Sequence, residues 1–407
     1  MKHKFFKKIL ENGMTVLYEE RKGSGVVSLA IAVKHGGINE PLDEKGISHF
    51  IEHMLFKGTK NRTPKQISEE IEKNGGILNA FTEEEFTNYW CKLPSNKADI
   101  GLDVLSDMLL NPLFEEKELN KERRVIFEEM KMRRDRPDIY VVDKIQNLLY
   151  TGTLSTDFIG TEESMKSINK KKITEKFKRA YGSENMILCA VGDADFKKLC
   201  DFCEKTFKKS GFKISEPIFG IKNEEKIDKR KGIDQINLIF AYHAPNAKEK
   251  DVYAAQILNC LMVGGMSSRL YQEIREKRNL AYVVRGGYAG GRRYGYNTIV
   301  VGTSPGNLEK VKALIIEEFS KLQKELDEKE LSQVKEQLIG NSKISREDSS
   351  GQMLDLLCNE IWCDNAKRSY EYEKNIKKVK LEDVRKLAQS AKRYSFIALI
   401  PENKEAK

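Results

Sequence analysis

Apolar residues recur at helical spacing between Gly46 and Phe56. Ile47, Phe50, Ile51, Met54 and Leu55 fall on one side of the helix this predicts. His49, Glu52 and His53 stand at i, i+3 and i+4, positions that share a face. Around this helix the pattern predicts short strands on either side of Asn12-Gly13 and a central strand over 26–34, closed by His35-Gly36-Gly37. Thr63-Pro64 opens a second helix and Asn74-Gly75-Gly76 stops it. Two strands follow, over 77–82 and 86–93, joined by the acidic turn Glu83-Glu84-Glu85. Helices are expected over 96–110 and from Glu115 onward, broken at Pro137 and continuing to Tyr150. A buried strand over 186–191 and a helix over 196–207 complete this half.

Between 208 and 231 the pattern weakens into a charged stretch with Gly211, Pro217 and Gly220, which reads as a linker. Beyond it the order repeats. A strand at 236–242 leads to helices at 251–262 and 267–277 and strands at 280–288 and 294–302. Helices over 308–326, 328–342, 349–362 and 381–391 precede a closing strand at 396–400. The pattern predicts a divergent duplication of an α+β unit, two homologous α/β-sandwich domains with sheets packed against helices. The expected boundaries are 1–207 for the N-terminal domain, 208–231 for the linker and 232–407 for the C-terminal domain. At the matching helix the second half reads Ala254-Ala255-Gln256-Ile257-Leu258, so only the first half is equipped for metal.

Composition changes this picture little. A chain of 407 residues, 40% hydrophobic and 33% charged, is globular with ample apolar mass. The net charge of +9 is spread over 71 basic and 62 acidic residues, a solvated surface rather than a nucleic-acid groove. Seven cysteines form no regular framework, and Cys200-x-x-Cys203 has no second pair at zinc-finger distance, so it reads as structural. Lys7-Lys8 interrupts the apolar Phe5-Phe6, leaving no signal-peptide core. No run approaches the ~20 apolar residues of a membrane span. A cytoplasmic address, without membrane or nucleic-acid partners, is the expectation. Lys170-Lys171-Lys172 reads as a solvated helix start, and Gly264-Gly265 lacks the lysine of a phosphate loop.

The chemistry concentrates in the first helix. Two imidazoles one turn apart can hold zinc, and a carboxylate between them can act on a water. His-x-x-Glu-His is the zincin motif in reversed order. A catalytic zinc usually has a third protein ligand. His3, His35 and His243 lie in no helical context near the motif, whereas Glu122 and Glu129 share a helix. Their seven-residue spacing returns both to nearly one face but about 10 Å apart along the axis. One glutamate is therefore expected as ligand and the other as support, with Glu128 turned to solvent.

These residues resemble the pitrilysin and mitochondrial-processing-peptidase family of inverse zincins. There, His-x-x-Glu-His is followed about seventy-five residues later by Glu-Arg-x-Val-Ile-x-x-Glu. Here that element is Glu122-Arg123-Arg124-Val125-Ile126-Phe127-Glu128-Glu129, and from 53 to 129 the interval is 76 residues. Asn79-Ala80-Phe81-Thr82 resembles the family's Asn-Ala-x-Thr strand. Arg275 and Tyr282, seven residues apart, resemble its Arg-x6-Tyr element. The resemblance runs from about Phe5 to Ile400 and is closest to short, bacterial-type, two-repeat members.

The resemblance implies a zinc metalloendopeptidase with one Zn2+ per chain, held by His49, His53 and Glu129. Glu52 would be the base acting on zinc-bound water, and Glu122 the auxiliary acid beside the site. Asn79, Ala80, Phe81 and Thr82 would bind substrate as an added strand, with Phe81 lining the pocket for the residue before the cut. Arg275 and Tyr282 would contact the substrate carbonyl from the metal-free half. The implied substrates are peptides or unfolded, presequence-like segments admitted to a chamber formed by two subunits, a homodimer or a heterodimer with a related chain. A non-catalytic structural or partner subunit is the competing reading, and intact His49, Glu52, His53 and Glu129 oppose it. A zinc hydrolase of non-peptide substrates is a third.

Overall fold

Burial on both faces is what the strands at the centre of this fold share. In the computed structural model, which describes residues 4–402, β3 (Val26–Val33) and β6 (Met186–Gly192) are buried almost throughout. They join β1 (Lys4–Ile9), β2 (Thr15–Glu20), β4 (Ile77–Thr82) and β5 (Thr87–Pro94) in a six-stranded sheet of order β1-β2-β6-β3-β5-β4. β2 and β6 run parallel and the other neighbours antiparallel. A second sheet has the order β7-β11-β8-β10-β9, from β7 (Glu225–Arg230), β8 (Ile236–His243), β9 (Ala281–Gly290), β10 (Gly295–Thr303) and β11 (Tyr394–Pro401). Here β7 and β11 are the parallel pair. Position for position, β7-β11-β8-β10-β9 repeats β2-β6-β3-β5-β4. The fold is thus the expected pair of α+β domains, with β1 as an addition to the first.

Two differences from the sequence expectation stand out. The stretch read as a linker contains β7, and its parallel partner is β11. β7 is an edge strand of sequence Glu-Lys-Ile-Asp-Lys-Arg, mostly exposed, and an edge strand of that kind carries no apolar alternation to read. The compact units are also not the contiguous stretches 1–207 and 232–407. One unit comprises residues up to 130, 156–218 and 344–369; the other comprises 131–155, 219–343 and those from 370.

The cause is an exchange of equivalent helices. After β5 come the helices Ala98–Leu110, Glu116–Asp135 and Pro137–Leu149; after β10 come Leu308–Glu325, Glu328–Glu347 and Ser349–Cys363. The third helix of each set packs on the other half's sheet: Pro137–Leu149 on β8 and β11, Ser349–Cys363 on β3 and β6. Each sheet therefore has one face covered by its own half's helices and the other by a borrowed one. In the first unit, Leu29, Ile31, Val33, Tyr89 and Cys91 face the helix Ile47–Leu55 and its neighbours. Ala30, Ala32, Ile187, Cys189 and Val191 face Met353, Leu356 and Leu357 of the borrowed helix. Ser28 Oγ lies 2.8 Å from Ser349 Oγ. In the second unit, Ser395 Oγ donates to the Leu148 carbonyl at 2.8 Å.

The seven cysteines are free thiols, with Cys200 and Cys203 buried in the first core. Among the described residues no helix is long and apolar enough to cross a membrane.

The exchange makes a checkable prediction. Leu357 lies late in the sequence but is fully buried against the first sheet. Leu357→Ala should cost about 2–5 kcal/mol, and hydrogen exchange should quicken in β3 and β6. Faster exchange confined to the second sheet would contradict the packing described.

Candidate active site

The helix Ile47–Leu55 starts at a tight corner. Gly46 has φ of 92°, a region glycine enters without penalty. A Cβ there would also run into the Met165 side chain and the Ile159 carbonyl. The helix's first donors converge on one buried carboxylate: the N–H groups of Gly46 and Ser48 each donate to Glu40 at 2.7 Å. A negative charge at a helix start also complements the macrodipole. Burial pushes the Glu40 pKa up, against the pull of Lys45. On the next side, His35 Nδ1 lies 2.9 Å from Ser48 Oγ. Burial drives the His35 pKa down to about 3, so this ring is neutral. Ile47, Phe50, Ile51, Met54 and Leu55 enter the core, as their spacing predicts.

Opposite the histidines lies the helix Glu116–Asp135. Its Arg123 donates to the carbonyls of Met165 and Ile168 and stands 5.4 Å from the Phe50 ring, locking the two helices in register. Glu129 Oε2 is 3.7 Å from His49 Nε2 and 3.7 Å from His53 Nε2. The imidazoles are 4.6 Å apart and nearly perpendicular. One donor atom from each of His49, His53 and Glu129 falls within 4.8 Å of the others. Tetrahedral zinc with bonds of about 2.0–2.2 Å places neighbouring donors roughly 3.3–3.6 Å apart. Two imidazoles and a carboxylate at these spacings fit zinc with small side-chain adjustments.

Glu122 stands behind this group. Its Oε2 lies 3.2 Å from His53 Nδ1 and its Oε1 2.8 Å from Lys57 Nζ. An imidazole that gives Nδ1–H to a carboxylate turns Nε2 outward for a ligand. The two glutamates thus occupy different places, Glu129 among the Nε2 atoms and Glu122 behind His53, while Glu128 is exposed. Lys57 was not singled out by the sequence, although its position four residues past His53 was a usable signal.

Glu52 is largely buried and its carboxylate accepts a hydrogen bond from Thr82 Oγ1 at 2.6 Å. Burial pushes its pKa up, while the Thr82 hydroxyl and His53 pull it down. Thr82 ends β4, which is the edge strand next to β5. Leu78 and Ala80 share the helix side of that strand and pack against the first core. Phe81 points to the opposite face, edge-on to Phe86 at 5.9 Å and among residues beneath the borrowed helix. Its ring is therefore on the other side of the sheet from Thr82 and Glu52. Asn79 is exposed on the strand, and its Oδ1 accepts from the Ala80 N–H.

Arg275 and Tyr282 belong to the second unit. Arg275 sits in a π-helical turn, Tyr271–Glu276, with its guanidinium 5.0 Å from the Tyr271 ring. Such turns interrupt regular helices often at functional positions. Tyr282, 41% exposed, lies across Gly302, where any Cβ would strike its ring. It lines a cavity of about 530 Å³ with Asn237, Asp138 and Arg285, and burial raises its pKa against a hydrogen bond to Asn237. His243 is also in this unit, its Nε2 3.0 Å from the Lys222 carbonyl. His3 lies outside the described residues.

Comparison with known proteins bears on the family and the fold. Residues 15–162 match the family described as insulinase (peptidase family M16), and residues 167–338 match the peptidase M16 inactive domain. The chain is 31% identical over 387 residues to the uncharacterized zinc protease YmxG of Bacillus subtilis, covering 93% of each. It is 33% identical over 201 residues to the probable mitochondrial-processing peptidase subunit beta of Arabidopsis thaliana, covering 49% of this chain and 38% of that one. In fold it is similar to a protease from Helicobacter pylori, with a TM-score of 0.92, 23% identity and coverage of 98% and 100%.

Neutral His35 beneath the site gives a pH prediction. Its folded pKa, about 3, lies below the ordinary value near 6.5. Between these values the unfolded chain binds a proton that the folded chain does not, so stability falls as pH drops from about 6.5 towards 3. The expected loss is on the order of 1.4 kcal/mol per pH unit. His35→Gln should flatten that slope in denaturant titrations across the window.

Proposed function

The chain belongs to the M16 peptidase family, and we propose that it is a zinc-dependent endopeptidase that cleaves peptides or unfolded, presequence-like segments. The convergence of His49, His53 and Glu129, with Glu52 beside them, carries this reading. The three would hold one ion per chain, and Glu122 would keep the His53 ring turned towards it. When bound, zinc supplies a Lewis acid that polarises the scissile carbonyl and acidifies a water.

The remaining work falls to the chain's own groups. Glu52 takes the proton of the attacking water and delivers it to the leaving amine nitrogen. The edge of β4 around Asn79 and Ala80 receives the substrate backbone as an added strand, so only extended chain is presented to Glu52. Arg275 and Tyr282 steady the oxyanion. Two subunits, identical or related, enclosing the site in a chamber, and a cytoplasmic location belong to the same proposal. Native mass of the purified protein distinguishes a dimer of this chain from a lone chain awaiting a partner.

Elemental analysis should find one zinc per chain. Glu52→Gln should keep that zinc while cleavage of an unstructured peptide falls about 10²–10⁴-fold. If Glu52→Gln cut as fast as the parent, Glu52 would not be the base. A correctly folded parent that retains no zinc would instead favour a non-catalytic partner subunit. His53→Ala should lose both zinc and activity.

A further inference from the structure

Thr82 stands where β4 meets the site. It is 4% exposed and pairs with Thr87 across the hairpin. The following turn is closed by the Glu83 N–H donating to the Phe86 carbonyl at 2.8 Å. Its side chain faces the helix side of the sheet, and its hydroxyl has one proton to give. That proton goes to Glu52 Oε2, at 2.6 Å, the length of a charge-assisted O–H···O⁻ bond. A β-branched side chain on a strand has little rotamer freedom, so the donor is fixed by the hairpin backbone.

We propose that Thr82 is a positioning residue for Glu52 rather than a substrate contact, a role that rests on Glu52 being the base. Its hydroxyl holds one carboxylate oxygen and leaves the other to face the water. The consequence reaches beyond one hydrogen bond. The strand whose free edge takes the substrate also sets the orientation of the base. A peptide paired with β4 is therefore in register with the Glu52 carboxylate, because both are referenced to one stretch of backbone. A base displaced by about 1 Å can cost on the order of 10²-fold in rate.

Thr82→Val keeps the shape of the side chain and removes the donor; Thr82→Ser keeps the donor. In the zinc-loaded protein, Thr82→Val should lower kcat about 10–100-fold with KM within twofold of the parent, and Thr82→Ser should recover most of the loss. Zinc content should be the same in all three. Melting temperatures of Thr82→Val, Glu52→Ala and the double variant should be non-additive, because each single change breaks the same bond. This second measurement reads the contact whether or not peptide is cleaved. A Thr82→Val variant with raised KM and parental kcat would make Thr82 a substrate contact and overturn the proposal. Additive melting shifts would do so too. A zinc-loaded parent that cleaves no unstructured peptide would overturn the proposed function, and with it the role of Thr82 in catalysis.

Discussion

Crowded like charge is the constraint on which the site depends. Glu52, Glu122 and Glu129 are brought together around two imidazoles of one short helix. Carboxylates taken out of water need partners, and each has a different one. Glu122 has Lys57 and the His53 Nδ1. Glu52 has the Thr82 hydroxyl. Glu129 faces the Nε2 atoms of both histidines, each at 3.7 Å. A cation among those three donors is what the arrangement calls for. The same logic extends one layer down, where Glu40 accepts from two backbone N–H groups at the start of the helix and Lys45 lies buried beside it. Deep packing against the sheet leaves the helix little freedom to turn the histidines away.

The duplicated architecture shows what a cluster of polar side chains costs a fold. The helix Val252–Val263 follows β8 as Ile47–Leu55 follows β3, yet nearly every residue on it is buried and apolar. With no counterpart of His49, Glu52 and His53, it is part of a continuous core. In the first half, by contrast, one face of the equivalent helix is given over to His49, Glu52 and His53. That half must then stabilise polar groups through Glu40, Lys57, Glu122 and Thr82. The exchange of Pro137–Leu149 and Ser349–Cys363 covers the second face of each sheet with a helix from the other half. Strands buried on both faces, such as β3 and β6, are stable only with such a cover.

Much of this was legible in the sequence because periodicity and burial agree. The Ile47–Leu55 helix, the three strand hairpins and the repeated order of elements follow from apolar spacing and turn residues. Glu122 and Glu129 do lie on one helix, one against His53 Nδ1 and the other against the Nε2 atoms. What was not legible has physical causes. β7 is an exposed edge strand and has no alternation to show. The helix Arg368–Lys378 is charged along most of its length, and its apolar contacts do not stand out from its neighbours. The exchanged helices are amphipathic in the ordinary way; nothing in their spacing says which sheet they will cover. Phe81 and Thr82 looked alike as members of one strand motif, but alternation sends their side chains to opposite faces, and only strand register with β5 decides which face is which.

That last point bears on how specificity and chemistry are joined. A strand presents two kinds of recognition at right angles: backbone groups along its edge and side chains above and below the sheet. In β4, an edge strand, one face holds Thr82 against Glu52, and on the other the half-buried Phe81 packs edge-on to Phe86. Side-chain contacts on both faces fix the strand's height and twist, so the edge offered to a peptide is rigid. Backbone pairing is indifferent to sequence. Rigidity supplies what sequence-blind pairing lacks, since a peptide aligned to this edge has its backbone placed relative to Glu52 whatever its side chains are. The helix from the far end of the chain covers β3 and β6 on that face, and Phe81 of β4 packs at the margin of the same apolar cluster.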